Sequence, residues 1–157
     1  AVGAQMSILM FVGVRLGVVG CDGSALAFVP TVLRGRAYRR RRPRARAACL
    51  LCACREPEVD MILCAIGGDD TYRLLPWLFD HNELAEAVTE KIFLGFSDTS
   101  VNHLMLHKVG LSTFYGQAFL PDVCEPDRAL LPYPRPCLAR LPEPGPIRPN
   151  PPSPPPH

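Results

Sequence analysis

The 157-residue sequence lacks several patterns that mark whole classes of protein. Glycine has no three-residue period, which excludes collagen, and no heptad is sustained, which excludes a coiled coil. The seven cysteines are odd in number and irregularly spaced, which argues against a secreted disulfide framework. The apolar fraction of 48% and the charged fraction of 20% are instead typical of a globular domain.

Acidic residues are absent from one stretch and concentrated in the next. Between Gly23 and Arg55 there is no Asp or Glu, but there are nine arginines. Residues 56–125 carry twelve acids against three basic side chains, so their net charge is −9. The run from Arg34 to Arg46 is typical of a nucleic-acid patch, but stacking aromatics are almost absent from it. We therefore expect no specific nucleic-acid partner.

Proline separates the other end of the chain from the rest. Thirteen of the eighteen prolines lie in the last 32 residues, where they prevent a helix or a central strand. We predict three parts: a poorly defined apolar, then Arg-rich segment over residues 1–45, an α/β domain over 46–125, and a disordered Pro-rich tail over 126–157.

Signals for a membrane anchor and for a metal site are both incomplete. The apolar residues 1–20 are interrupted by Arg15, and a central arginine is costly inside a bilayer, so no membrane anchor is expected. Cys49, Cys52 and Cys54 form a cluster, but no second Cys-x-x-Cys or Cys-x-x-His pair completes four ligands. We expect no metal, no other cofactor, and reduced thiols in a cytoplasmic protein.

Apolar runs between residues 59 and 118 alternate with amphipathic segments. The first predicted elements are a strand at 59–66 and a short helix from Thr71, with Asp70 as N-cap and with Pro76 ending or kinking it. A surface helix at 82–90 and a strand at 91–96 follow. A helix at 98–109 then has Gly110 as C-cap and buries Val101, Leu104 and Met105, and a third strand or turn lies at 112–118. This order predicts an α/β fold with a mostly parallel sheet flanked by helices, beside an irregular Arg-rich part.

The sharper chemical signal is Gly95-Phe96-Ser97-Asp98 at a predicted strand-to-helix junction. A nucleophile elbow holds a serine on such a turn, with a small residue two positions earlier. The purely structural alternative, in which Ser97 only caps the helix, is about equally favoured by this motif alone. His103 and His107 share one helix face without a third ligand, so we expect surface or partner-facing histidines that do not serve Ser97 as a base.

A second signal is Gly67-Gly68-Asp69-Asp70 at the end of the preceding strand. Ligands collect at the carboxyl ends of parallel strands, where this loop and Ser97 would both lie. The backbone N–H of Gly68 or Asp69, together with that of Asp98, could then form an oxyanion hole. The alternative is a simple tight turn followed by a helix cap.

Two segments together resemble one enzyme family. They read P-E-V-D-M-I-L-C-A-I-G-G-D-D-T-Y-R-L-L-P over 57–76 and K-I-F-L-G-F-S-D-T-S-V-N-H-L-M-L-H-K-V-G-L-S-T-F-Y-G-Q-A over 91–118. The sequence is similar to the LD-carboxypeptidase family of serine peptidases, which includes muramoyltetrapeptide carboxypeptidases and microcin C immunity proteins. The Gly-Gly-Asp-Asp form resembles the immunity-protein branch, and the resemblance runs from about Arg46 to Glu125.

The resemblance implies a catalytic Ser97 with oxyanion amides at Gly68, Asp69 and Asp98. It further implies hydrolysis of an amide bond next to a C-terminal residue of a muropeptide or peptide–nucleotide conjugate, through an acyl-enzyme. It also implies no metal, a cytoplasmic location and a homodimer. The family takes its triad Glu and His from a separate C-terminal domain, and nothing after Glu125 resembles that domain.

We therefore expect a truncated, LD-carboxypeptidase-like chain that is inactive alone. Two alternatives stay open: a non-catalytic binding module, and a degenerate gene fragment flanked by out-of-frame Arg-rich and Pro-rich translation. An Arg-rich nucleic-acid-associated protein is the least favoured reading.

Overall fold

A computed structural model describes residues 9–13, 25–29, 36–57 and 59–123 of the chain. The strands are β1 (Leu9–Gly13), β2 (Ala25–Phe28), β3 (Val59–Cys64), β4 (Ile92–Gly95) and β5 (Phe114–Tyr115). The helices are α1 (Arg36–Arg41), α2 (Pro43–Arg55), α3 (Leu75–Phe79), α4 (Glu83–Ala87) and α5 (Ser100–Lys108). The predicted Pro-rich tail over 126–157 lies outside the described residues.

The strands form one sheet in the order β2-β1-β3-β4-β5. β3, β4 and β5 run parallel, with Met61 opposite Ile92 and Leu94 opposite Phe114. β1 lies antiparallel to both β2 and β3. The predicted α/β fold with a parallel sheet is thus confirmed for the segment from β3 to β5, and the antiparallel pair extends the sheet beyond β3.

Regular helices lie in the Arg-rich stretch, for which the sequence predicts irregular structure. α1 lies wholly within it, and α2 begins there and continues to Arg55. Alanine and arginine are both strong helix formers, and Pro43 stands in the first turn of α2, where its missing N–H is not needed. α2 buries Ala47, Leu50 and Ala53 in the core.

The helical segment from Thr71 changes at Pro76, where the sequence predicts that the helix ends or kinks. Thr71–Leu74 form a 3-10 turn, and α3 then begins at Leu75. The 3-10 helix therefore ends just before Pro76, which stands in the first turn of α3, where a proline is tolerated. The predicted surface helix at 82–90 is present as the shorter α4.

α5 differs from prediction in the side chain that it exposes. Met105 and Leu106 are buried, and Val101 packs partly buried against the core, but Leu104 is 71% exposed. The expectation that Leu104 is buried was wrong because the buried stripe follows the 3.6-residue period through 101–102 and 105–106. Gly110 ends the helix as predicted, with a φ of 95° and its N–H donating to the His107 carbonyl.

A buried lysine satisfies carbonyls where α2 meets β3. The Lys91 amine, 9% exposed, donates to the carbonyls of Glu56 at 2.6 Å and Val59 at 2.5 Å. The hydroxyl of Thr89 donates to the Cys54 carbonyl at 2.8 Å. These bonds fix the start of β4 against the end of α2, and β4 leads directly into the candidate site.

Candidate active site

Ser97 lies on a sharp turn between β4 and α5. Phe96 is fully extended, Ser97 has a φ of 63°, and the chain then enters a 3-10 turn over Ser97–Thr99. A left-handed conformation costs a residue with a Cβ about 1–2 kcal/mol. The Ser97 residue is exposed at this turn. The strain, the exposure and the junction are the features of a nucleophile elbow.

Gly95 is needed for the elbow because its surroundings leave no room for a side chain. A Cβ at this position would lie 2.7 Å from both the Cys64 Sγ and the Thr99 Oγ1. The Thr99 hydroxyl also donates to the Phe96 carbonyl at 2.7 Å, so it is held in place. The predicted reason for a glycine two residues before Ser97 is therefore present in the geometry.

Gly67 brings the glycine loop against the serine. A Cβ on Gly67 would lie 2.8 Å from the Ser97 Cβ, 2.9 Å from its Oγ and 3.6 Å from the Asp98 backbone nitrogen. Gly68 is the glycine predicted to face the oxyanion, but the close approach to Ser97 is made by Gly67. The paired glycines were the available signal, although the sequence does not tell which of them touches the serine. Gly68 and Asp69 follow at the same edge, partly buried and exposed respectively.

The Asp98 carboxylate ties the two loops together. It accepts hydrogen bonds from the N–H of Asp70 at 3.3 Å, the N–H of Thr71 at 3.1 Å and the hydroxyl of Thr71 at 2.5 Å. Asp70 occupies the predicted N-cap position of the 3-10 turn, but its own carboxylate makes no capping bond. Asp98 thus supplies the cap from the neighbouring loop, which holds the glycine loop beside Ser97.

Arg46 anchors the same loop from α2. Its guanidinium pairs with the Asp70 carboxylate at 2.7 Å, and both residues are 6% exposed. A second guanidinium nitrogen lies 3.5 Å from the Thr71 hydroxyl. Arg46 was missed because it closes a run of solvated arginines. Its spacing from Leu50 and Ala53 on the buried face of α2 was the signal that could have found it.

Tyr115 contacts the elbow from β5. Its phenol oxygen accepts the Ser97 N–H at 3.0 Å, and the Ser100 Oγ lies 3.5 Å from the same oxygen. The Ser100 hydroxyl also donates to the Ser97 carbonyl at 2.6 Å. The hydrogen bonds from Ser100 and from the Ser97 backbone lower the pKa of Tyr115 below its usual value. Tyr115 is 65% exposed, and sequence reasoning gave it no role.

His103 is a half-buried link rather than the surface histidine that the sequence predicts. Its Nε2 lies 3.1 Å from the Gly95 carbonyl and its Nδ1 lies 2.8 Å from the Thr113 Oγ1. Burial lowers the pKa of His103, outweighing the opposing effect of the bond to Gly95. Both ring nitrogens of His103 are thus engaged by groups other than Ser97. His107 is exposed.

Among the residues that the structure describes, no group of three or more His, Cys, Asp or Glu side chains could hold a metal ion. None of the helices described is long and apolar enough to cross a membrane.

The family follows from a comparison with known proteins. The family model of the LD-carboxypeptidase N-terminal domain matches residues 18–116, which is more than half of the chain. The chain belongs to the LD-carboxypeptidase family. This match confirms the resemblance carried by the Gly-Gly-Asp-Asp and Gly-Phe-Ser-Asp motifs.

Individual members of the family are similar over the same part of the chain. The Escherichia coli microcin C7 self-immunity protein MccF is 39% identical over 70 residues, covering 44% of this chain and 20% of its own length. A candidate carboxypeptidase of Streptomyces coelicolor is 40% identical over 75 residues, which cover 45% of this chain and 23% of that protein. The chain matches about a fifth to a quarter of the length of these relatives.

A solved structure is similar in fold as well as in sequence. The MccF-like protein from Streptococcus pneumoniae, in complex with AMP, superposes with a TM-score of 0.63 at 57% identity. The match covers 64% of this chain and 29% of that one. The α/β fold of this LD-carboxypeptidase domain is therefore shared with a solved MccF-like protein.

Proposed function

We propose that this chain carries the nucleophile of an LD-carboxypeptidase-like serine peptidase. The observation that supports this most strongly is the strained, exposed Ser97 at the end of β4, with Gly67 packed directly against it. A serine that merely capped α5 would need neither a left-handed backbone nor a glycine loop so close that a Cβ on Gly67 would lie 2.9 Å from its Oγ.

The proposed reaction is amide hydrolysis through an acyl-enzyme. The Ser97 Oγ attacks the carbonyl carbon next to the C-terminal residue, and the amine of that residue leaves with a proton. Water then cleaves the ester and restores the serine. The backbone amides of Gly68, Asp69 and Asp98 are proposed to stabilise the oxyanion, because the glycine loop and the start of the 3-10 turn meet at Ser97.

The general base is proposed to come from outside the described residues. The family resemblance supplies a Glu and a His from a second domain, and the one histidine next to the elbow, His103, has both nitrogens engaged. Without its base a triad serine loses about four to six orders of magnitude in rate. We therefore expect little or no peptidase activity from the described residues by themselves.

The proposed substrate is a muropeptide or a peptide–nucleotide conjugate. The second class is supported by the similarity to a microcin immunity protein and to an MccF-like protein in complex with AMP. A cytoplasmic location, a role in peptidoglycan recycling and a homodimer belong to the same proposal and rest on the family resemblance.

Labelling with a fluorophosphonate probe tests the proposed nucleophile. The full chain is mixed with the part of the Streptococcus pneumoniae MccF-like protein that this chain does not match, and labelled peptides are mapped by mass spectrometry. We expect a label on Ser97 that is lost in Ser97→Ala and retained in Ser112→Ala, since Ser112 is also exposed. A wild-type chain that stays unlabelled in the mixture would contradict the catalytic proposal.

That negative result would favour a non-catalytic binding module, in which the glycine loop holds a ligand and Ser97 only shapes the loop.

A degenerate gene fragment is distinguished at the DNA level. Homologous coding for the family's Glu and His in another frame downstream of Glu125 would support it, and an intact frame without such coding would refute it.

A further inference from the structure

We propose that Tyr115, braced by His103, is a positioning residue that holds Ser97 in its strained conformation. This inference rests on the proposed function of Ser97 as a nucleophile. It starts from the hydrogen bond that the Ser97 N–H donates to the Tyr115 phenol oxygen at 3.0 Å.

The bond matters because of the backbone at the elbow. With a φ of 63°, Ser97 needs surrounding contacts to keep it in the left-handed region. Two of these contacts come from side chains: Tyr115 accepts the Ser97 N–H, and Ser100 donates to the Ser97 carbonyl at 2.6 Å. Both peptide groups of the strained residue are thereby held. Oxyanion stabilisation is left to the amides of the glycine loop and of Asp98.

The phenol is in turn held by its own strand and by His103. Tyr115 is paired with Gly95, and the N–H of Gly116 donates to the Gly95 carbonyl at 3.0 Å. The His103 ring lies between Phe93, edge-on at 5.0 Å, and Tyr115, tilted at 5.4 Å. The Tyr115 ring therefore packs on a fixed surface although most of it faces solvent.

The contacts of His103 define its tautomer. A backbone carbonyl can only accept, so the Nε2 that faces Gly95 carries a proton, and in the neutral ring Nδ1 accepts from the Thr113 hydroxyl. This neutral form links β4, α5 and the segment before β5. His103 thus joins the strand that precedes Ser97 to the tyrosine that binds its N–H.

The matched test variants are Tyr115→Phe and Tyr72→Phe. Each removes one phenol hydroxyl from a largely exposed ring, but the Tyr72 hydroxyl accepts its hydrogen bond from Arg73 Nε, at 3.3 Å, and not from the Ser97 N–H. The readouts are the exchange rate and proton shift of the Ser97 amide in the full chain, and the rate of fluorophosphonate labelling in the two-part mixture described above.

In Tyr115→Phe we expect the Ser97 amide to exchange about three- to tenfold faster and its proton resonance to move upfield, as for a lost hydrogen bond. We expect the labelling rate to fall by a similar factor, and Tyr72→Phe to change neither quantity. His103→Ala should move the Ser97 amide in the same direction as Tyr115→Phe, while His107→Ala should not.

Two outcomes would overturn the inference. One is a Ser97 amide unchanged in Tyr115→Phe, and the other is an amide equally altered in Tyr72→Phe. Absence of labelling in every chain, including wild type, would instead count against the proposed nucleophile, since the amide measurement decides the role of Tyr115 without any chemistry at Ser97.

Discussion

Replacing Arg46 with alanine should destabilise the domain more than any other single arginine substitution on α2. The change removes one partner of an ion pair with a 2.7 Å contact, in which both residues are 6% exposed. The Asp70 carboxylate would stay buried without its counter-charge, and the 3.5 Å contact to the Thr71 hydroxyl would be lost as well. Breaking a buried pair in this way costs about 3–5 kcal/mol.

That loss is large beside the total stability of about 5–15 kcal/mol expected for a domain. Urea denaturation followed by far-UV circular dichroism measures it. The matched control is Arg44→Ala, two residues earlier on α2, where the exposed guanidinium stacks 5.6 Å from the Trp77 ring centroid. An exposed contact of this kind contributes about 0.5–1 kcal/mol.

A double variant separates the cost of the uncompensated charge from the value of the pair. Arg46→Met combined with Asp70→Leu replaces both charges with apolar side chains and should recover much of the loss, because apolar replacements of buried pairs are often neutral. Equal urea midpoints for Arg46→Ala and Arg44→Ala would refute the reasoning. They would mean that the buried pair of Arg46 and Asp70 does not hold the glycine loop in place.

Further predictions concern the packing around β3 and β4. Gly95→Ala should lower the free energy of unfolding by about 1–3 kcal/mol in urea, because its Cβ would lie 2.7 Å from Cys64 Sγ. The control is Gly116→Ala, which should cost less because its Cβ would have its nearest contact at 3.8 Å. Equal losses of stability in the two variants would count against the packing argument. Burial raises the pKa of Cys64 to about 12. Iodoacetamide at pH 8 should therefore modify the exposed Cys52 and should reach Cys64 only after the chain is unfolded. Modification of Cys64 in the folded chain would contradict its burial. Because that pKa is raised from an ordinary 9.0, the contribution of Cys64 to stability is intact below about pH 9 and is lost as the pH rises toward 12. The free energy of unfolding should therefore decline less steeply over that range in Cys64→Ser than in the wild type. An unchanged dependence of this free energy on pH would exclude the linkage.

The strands and the elbow could be predicted because their signals are local. β3 and β4 are short apolar runs bounded by turn residues, and the glycine before Ser97 marks the junction. The positive φ of Gly110 followed from its place at the end of an amphipathic segment. Each of these features depends on neighbours within a few residues.

The rest of the site depends on contacts between residues far apart in the chain. Asp98 caps a turn 27 residues earlier, Arg46 pairs with an acid 24 residues later, and Tyr115 binds the N–H of a residue 18 positions before it. No local pattern shows which acid faces which loop. Asp70 illustrates this, because it occupies the predicted N-cap position while its carboxylate serves a different partner.

The most direct test of the central claim is to trap the acyl-enzyme. The full chain, mixed with the complementary part of the MccF-like protein, is quenched in acid during turnover of a peptide–nucleotide amide, and its peptides are mapped by mass spectrometry. We predict an ester on Ser97 that is absent from Ser97→Ala. Turnover with the acyl group on another residue, or turnover that persists in Ser97→Ala, would contradict the account.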